Sequence, residues 1–217
     1  MSAASNVRLG PGPGEIILGS ILSVVLGALL AALFLAARPM KVVKEMPEEV
    51  EANVVYFVEG KKDYEGSRRW MFKRDVFVQG QTVEVTAGEL NYWVGSVYPP
   101  PAKDAPNDAI FSVGTPQFNI ADDELKAGVL CRLNVFTLVH EIAVQTAGGF
   151  VKVGDSYEFR PREVRVGGLP AHQLGPLGQI IFKQIAGAFV PPEDVAAAWT
   201  KLTDVHVEGN VLILAGP

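Results

Sequence analysis

The chain has 217 residues, a formal charge of −5, 48% hydrophobic residues and one cysteine, Cys131. A lone cysteine excludes an intrachain disulfide and with it a disulfide-built fold. A mildly acidic chain without a basic stripe is a poor match for nucleic acid, so no such partner is expected.

Residues 1–14 end in Gly10-Pro11-Gly12-Pro13-Gly14 and read as a flexible tail, because Gly and Pro at that density oppose regular structure. Ile16 to Ala37 then run without a charge, behind Glu15 and ahead of Arg38-Pro39. At ~1.5 Å per residue the run covers roughly 33 Å, enough for a ~30 Å hydrocarbon core. Residues 15–38 are therefore read as a transmembrane helix. A cleaved signal is the rival reading. Its apolar region is typically ~7–15 residues behind a basic segment; here the run is longer, and only Arg8 and the terminal amine precede it. A buried core helix fits poorly with apolarity on all faces.

Arg38, Lys41 and Lys44 outnumber Arg8, and a literal positive-inside count puts the C-terminal domain in the cytoplasm. Long domains cross largely regardless of such counts, and the β-rich body suits an extracytoplasmic compartment. The expectation is a single-pass protein of the cell inner membrane with its C-terminal domain in the periplasm. Gly19, Ser23, Gly27 and Ala31 recur every four residues, a small-residue face on which two copies could pack as a homo-oligomer. Such residues are also common in membrane helices generally.

Residues 39–60 read as a charged juxtamembrane linker and 61–217 as one domain. A helix is predicted over 61–77 and a strand over 81–85. Thr86-Ala87-Gly88-Glu89 is a capping box that opens a helix over 87–97. Pro99-Pro100-Pro101 stops it, and 102–109 is a polar loop. Strands over 117–121 and 124–134 flank a turn at Asp122-Asp123, and 136–147 continues with strand-like content. Strands over 150–153 and 157–160 flank Gly154-Asp155, and 163–166 follows Pro161. A long helix over 173–189 is halted by Pro191-Pro192. A shorter one spans 193–202, and 204–207 with 211–214 form a terminal hairpin. The fold class is α+β: one N-terminal transmembrane helix, then a curled antiparallel sheet packed on a long helix.

Catalytic chemistry is not spelled out. His140, His172 and His206 lie far apart with no partner at metal-ligand spacing. Asp122-Asp123-Glu124 reads more simply as a hairpin turn than as a calcium loop. Cys131 has no base nearby in sequence and reads as core. Gly148-Gly149 and Gly167-Gly168 lack the Lys of a phosphate loop and read as sheet bends or bulges. No enzyme, metal or cofactor is expected.

The 173–189 helix is the most suggestive segment. Its apolar residues, Leu177, Ile181, Ile185 and Phe189 among them, cover more than the ~100° stripe that one sheet would bury. A second cover is needed: a sheet that curls around it, a partner, or lipid. These four residues are the candidate ligand-binding set for an apolar ligand such as a lipid chain. A curled sheet alone, with no cavity, is the plainer alternative.

The layout also resembles YpmS-like bitopic extracytoplasmic proteins and, more loosely, tubular lipid-binding domains. The residues that carry the resemblance are Thr86-Ala-Gly-Glu-Leu-Asn91 after a short strand, Phe150-Val-Lys-Val-Gly-Asp155, Val166-Gly-Gly-Leu-Pro170 before an apolar helix, and the closing 202–213 segment. It implies a curved sheet wrapped on a helix, sometimes enclosing a lipid tail. The functional expectation is a membrane-anchored, non-enzymatic module that binds lipid or assists envelope lipid handling. The alternative is a structural or assembly subunit of a membrane complex.

Overall fold

The computed structural model describes residues 12–61, 66–100, 110–135 and 138–217. The predicted tail up to residue 11 and the polar loop over 102–109 lie outside them. The first element is helix α1 (Pro13–Ala36), 24 residues long. It opens on Pro13 at the first helical position, where a missing N–H costs nothing. Ser20 and Ser23 donate their hydroxyls to the Ile16 and Gly19 carbonyls at 2.9 and 2.8 Å, so neither presents an open polar group. The helix is long and apolar enough to span a membrane as a single-pass anchor.

Two strands follow within the stretch expected to be a linker. β1 (Met40–Val43) and β2 (Val55–Val58) pair in parallel, Met40 opposite Val55. Four residues each, set among Lys41, Lys44 and Glu45, they are too short to show a period in the sequence. α2 (Gly66–Val78) accounts for most of the helix expected from residue 61. β3 (Val83–Thr86) runs directly into α3 (Ala87–Val97). The capping box forms as predicted: the Glu89 amide donates to Thr86 Oγ1 at 3.3 Å, and the Thr86 amide donates to Glu89 Oε2 at 3.0 Å.

The main sheet has five antiparallel strands: β4 (Phe111–Val113), β5 (Gln117–Ala121), β6 (Glu124–Val135), β7 (Leu138–Val153) and β8 (Ser156–Val166). Its order is β4-β6-β7-β8, with β5 also on β6. It is curled, as the sequence suggested, but two of its strands are longer than the pattern allowed. β7 continues through Gly148-Gly149, and β8 continues through Pro161. The two interruptions are one feature, because Gly148 is the register partner of Pro161, with a bulge between Ala147 and Gly148. A Cβ on Gly148 would stand 2.9 Å from Pro161 Cα. β8 lies at the sheet edge, where a proline breaks no interior ladder.

After β8 come a 3-10 turn (Ala171–Gln173) and α4 (Leu177–Ala186). The predicted 173–189 helix is thus a correction: its helical part is ten residues long. Gly175 has φ +61 and Pro176 is the N-cap, so the chain turns before it becomes helical; Gly187 ends it. α5 (Glu193–Trp199) and the hairpin of β9 (Asp204–Glu208) and β10 (Val211–Ala215) close the chain. β10 pairs with β3 as well, so the last strand is central in a three-stranded sheet.

The larger core lies among α2, α3, α5 and that small sheet, around Trp70, Phe77, Val85, Leu90, Val195 and Leu212. The main sheet is covered on both faces. Register puts Val129 and Val144 on one face and Gly128 and Gln145 on the other. α4 covers the first face. β2 covers the second, where Phe57, 2% exposed, stacks so closely on Gly128 that a Cβ there would lie 2.8 Å from its ring.

Candidate functional site

The four candidate ligand-binding residues divide. Ile181, Ile185 and Phe189 pack against a small core of Val129, Cys131 and Val144 on the main sheet. Leu177 stands on the outer side of α4 and is exposed. Phe182 meets Phe159 at 5.6 Å, and Phe159, Phe150 and Trp199 continue as an aromatic chain into the larger core. At its far end α4 is held by Tyr98, whose hydroxyl donates to the Val190 carbonyl at 2.6 Å and whose ring meets Phe189 edge-on. One side of the helix is therefore fixed by packing. Its other side carries Leu177 and Ile180 into solvent, with Leu174 just ahead of them.

Residues that the sequence reads only as a bend join the chain ahead of this helix to α1. The Gly168 amide donates to the Leu35 carbonyl in the last turn of α1 at 2.9 Å, and the Gly167 amide donates to Ala143 at 2.7 Å. Gly167 has φ +55, and a Cβ on it would lie 2.9 Å from the Ala36 carbonyl carbon. A Cβ on Gly168 would press on Arg38 Cδ at 2.7 Å. The glycine pair thus gives backbone-to-backbone contact between the main sheet and the end of α1. A Gly-Gly pair just before an apolar helix was the available signal, but its partner Leu35, 133 residues upstream, was not.

Two half-open clefts flank the β1-β2 pair. One, about 520 Å³, lies between Glu45, Gly60, Thr86 and Ile120. The other, about 480 Å³, runs from Arg38 and Gly168 past Tyr56 to Lys126, Gln145 and Arg165. None of Leu177, Ile181, Ile185 or Phe189 lines either one. Arg165 is paired with Glu163 and Lys126 with Asp122, whereas Arg38 Nε has no hydrogen-bond partner.

The wall between the clefts and the larger core holds the two buried polar groups of α3. Asn91 donates to the Phe118 and Lys61 carbonyls at 2.8 and 3.1 Å and accepts from the Phe118 amide at 2.6 Å. It serves β5 as a neighbouring strand would. Glu89 combines its capping role with an ion pair to Lys73 at 2.9 Å. Both are satisfied within the fold, which is a structural task.

Cys131 is buried, and burial pushes its thiol up to about 11. A neutral thiol is a poor nucleophile. His206 contacts Asp204 at 2.8 Å, and His172 Nδ1 lies 3.0 Å from the Val164 carbonyl. Among the described residues no three His, Cys, Asp or Glu side chains are grouped to hold a metal. Asp122 and Asp123, at φ +59 and +57, form the predicted turn; Asp123 also accepts the Gly209 amide at 2.8 Å, tying two hairpins together. No protein-family model matches the chain, and no curated protein matches it.

Proposed function

We propose that the chain is a single-pass protein of the cell inner membrane whose α+β domain stands in the periplasm. It serves there as a non-enzymatic module of the envelope that binds an apolar ligand, such as a lipid chain, or assists lipid handling. The observation that carries this reading is the bond between Gly168 and Leu35. It fixes an apolar helix beside the point at which the chain leaves a helix fit to span the bilayer. A second reading, a structural or assembly subunit of a membrane complex, draws on the packing of Ile181, Ile185 and Phe189 against Val129, Cys131 and Val144. The small-residue face of Gly19, Ser23, Gly27 and Ala31 would then serve as a contact between copies.

Native mass spectrometry of the full-length protein separates the two, with Ile181→Trp beside the wild type. Overpacking a filled core costs ~1–3 kcal/mol. A lipid retained by the wild type and lost from a variant of near-normal stability supports lipid binding. No lipid in either form, with partner chains retained and the variant destabilised, moves the function to assembly.

A further inference from the structure

The outer side of the segment that begins with the 3-10 turn is apolar. Leu174 is 46% exposed, Leu177 39% and Ile180 53%. Three large apolar side chains beside one another in water mark a contact surface. We propose that this face lies in the headgroup layer of the same bilayer that holds α1. The proposal rests on the single-pass reading above and adds to it a surface and a partner, the lipid interface itself.

Three observations choose lipid over a protein. First, the domain overlaps the end of the anchor. Ala32, Leu35 and Ala36, which share one side of the last turn of α1, are part-covered, whereas most of the helix is exposed. A 24-residue helix spans about 36 Å, more than the ~30 Å hydrocarbon core. Its last turn, and the Gly167-Gly168 contact with it, therefore stand at headgroup depth.

Second, the apolar face begins close to that contact. The six Cα-to-Cα steps from Gly168 to Leu174 reach at most ~20 Å if extended. Here they fold back, through the Leu169–Val166 bridge and the 3-10 turn. α4 then settles on that turn, with Gly178 too close to Ala171 and His172 to admit a Cβ without a shift. The position of Leu174 and Leu177 is tied to the anchor through rigid backbone.

Third, the charge fits. Residues 164–192 contain no Asp or Glu, although the chain has 24 acidic residues. Nothing in the segment repels lipid phosphates, while Lys183 on α4 and Arg38 at the anchor's end supply cations suited to that layer. A helix with an apolar side, polar Gln179 and Gln184, and a lysine is the composition of an interfacial helix.

The test uses the full-length chain in lipid nanodiscs. A bimane probe is attached at Ile180→Cys, at Leu174→Cys, or at Glu208→Cys at the exposed end of β9. Cys131 is buried and stays unlabelled. The lipids carry a nitroxide on the acyl chain near the headgroup. Both apolar-face probes should be quenched about twofold or more, and the Glu208→Cys probe should not. Equal and weak quenching at all three sites overturns the proposal. So does a blue-shifted but unquenched probe at Ile180→Cys, which means protein covers the face. Lipid retention in the mass spectrum is a separate readout. A quenched face without retained lipid removes the lipid-binding function and leaves this surface standing. Retained lipid without quenching does the reverse.

Discussion

Gly167→Ala tests the link between anchor and domain. Two costs arise at once. An L residue at φ +55 costs about 1–2 kcal/mol. The new Cβ also meets the Ala36 carbonyl, and overpacking of that kind costs about 1–3 kcal/mol if nothing moves. The chain has an escape. Giving up the Gly168–Leu35 hydrogen bond loses only about 0.5–1.5 kcal/mol. The smaller term decides, so the end of α1 should part from the sheet and the crowding should be relieved. The sheet then retains only the backbone strain.

Hydrogen exchange on the full-length protein in nanodiscs reads this directly. The Gly168 amide should exchange about two- to thirteen-fold faster, the Boltzmann equivalent of the lost bond. Global stability should fall by about 1.5–3.5 kcal/mol, the backbone strain and the lost bond together. The central β6-β7 ladder should keep its protection. Gly149→Ala is the internal control: it adds a methyl to a glycine of the same sheet, but a Cβ there meets nothing within 4 Å. Matching exchange at Gly168 in the two variants would refute the reasoning and detach α4 from the membrane argument.

The other expectations follow from single contacts. Asn91→Ala removes three hydrogen bonds that stand in for a strand partner, and should cost about 2–4 kcal/mol in chemical denaturation followed by tryptophan fluorescence. Gly60→Ala should cost about 1–3 kcal/mol alone, because its Cβ would lie 2.7 Å from Asn91 Cγ, and much less in the Asn91→Ala background; additive losses would contradict that geometry. Burial raises the Cys131 thiol from 9.0 to about 11, so its stabilising effect is complete below pH 9 and fades as pH rises through 11. Cys131→Val should flatten the fall in stability between those values, and an unchanged slope would contradict it. Gly27→Leu should weaken self-association in a membrane two-hybrid assay, and an unaltered signal removes the small-residue face as a contact.

The parts of this fold that could be read in the sequence are those whose cause is local. Thr86 and Glu89 are three residues apart and cap one another, so α3 begins where the motif says. Asp122-Asp123 and Gly209-Asn210 are turns by their own chemistry. The parts that could not be read depend on a partner. Gly148 and Pro161 each look like a strand end; together they are a single bulge in two continuous strands. β1 and β2 are four residues each and acquire a reason only when Phe57 closes on Gly128. The glycine pair at 167–168 was legible as a bend but not as a seat for the end of α1.

The same distinction explains why α4 was hard to assign. Hydrophobic periodicity reports that both sides of this helix are apolar, but it cannot say that one side meets a sheet and the other does not. Ile181, Ile185 and Phe189 already have the main sheet for cover, and Phe182 has Phe159. Leu174, Leu177 and Ile180 do not. If the helix served only the core, polar residues at those three half-exposed positions would cost the fold less than at Ile181 or Ile185 and would lower the risk of aggregation. Their apolarity is therefore a property directed outward. A helix tethered by Gly167-Gly168 to the end of a helix fit to span a bilayer would, on the reading proposed above, have an apolar phase within reach, and the burial that the fold does not provide would be available there.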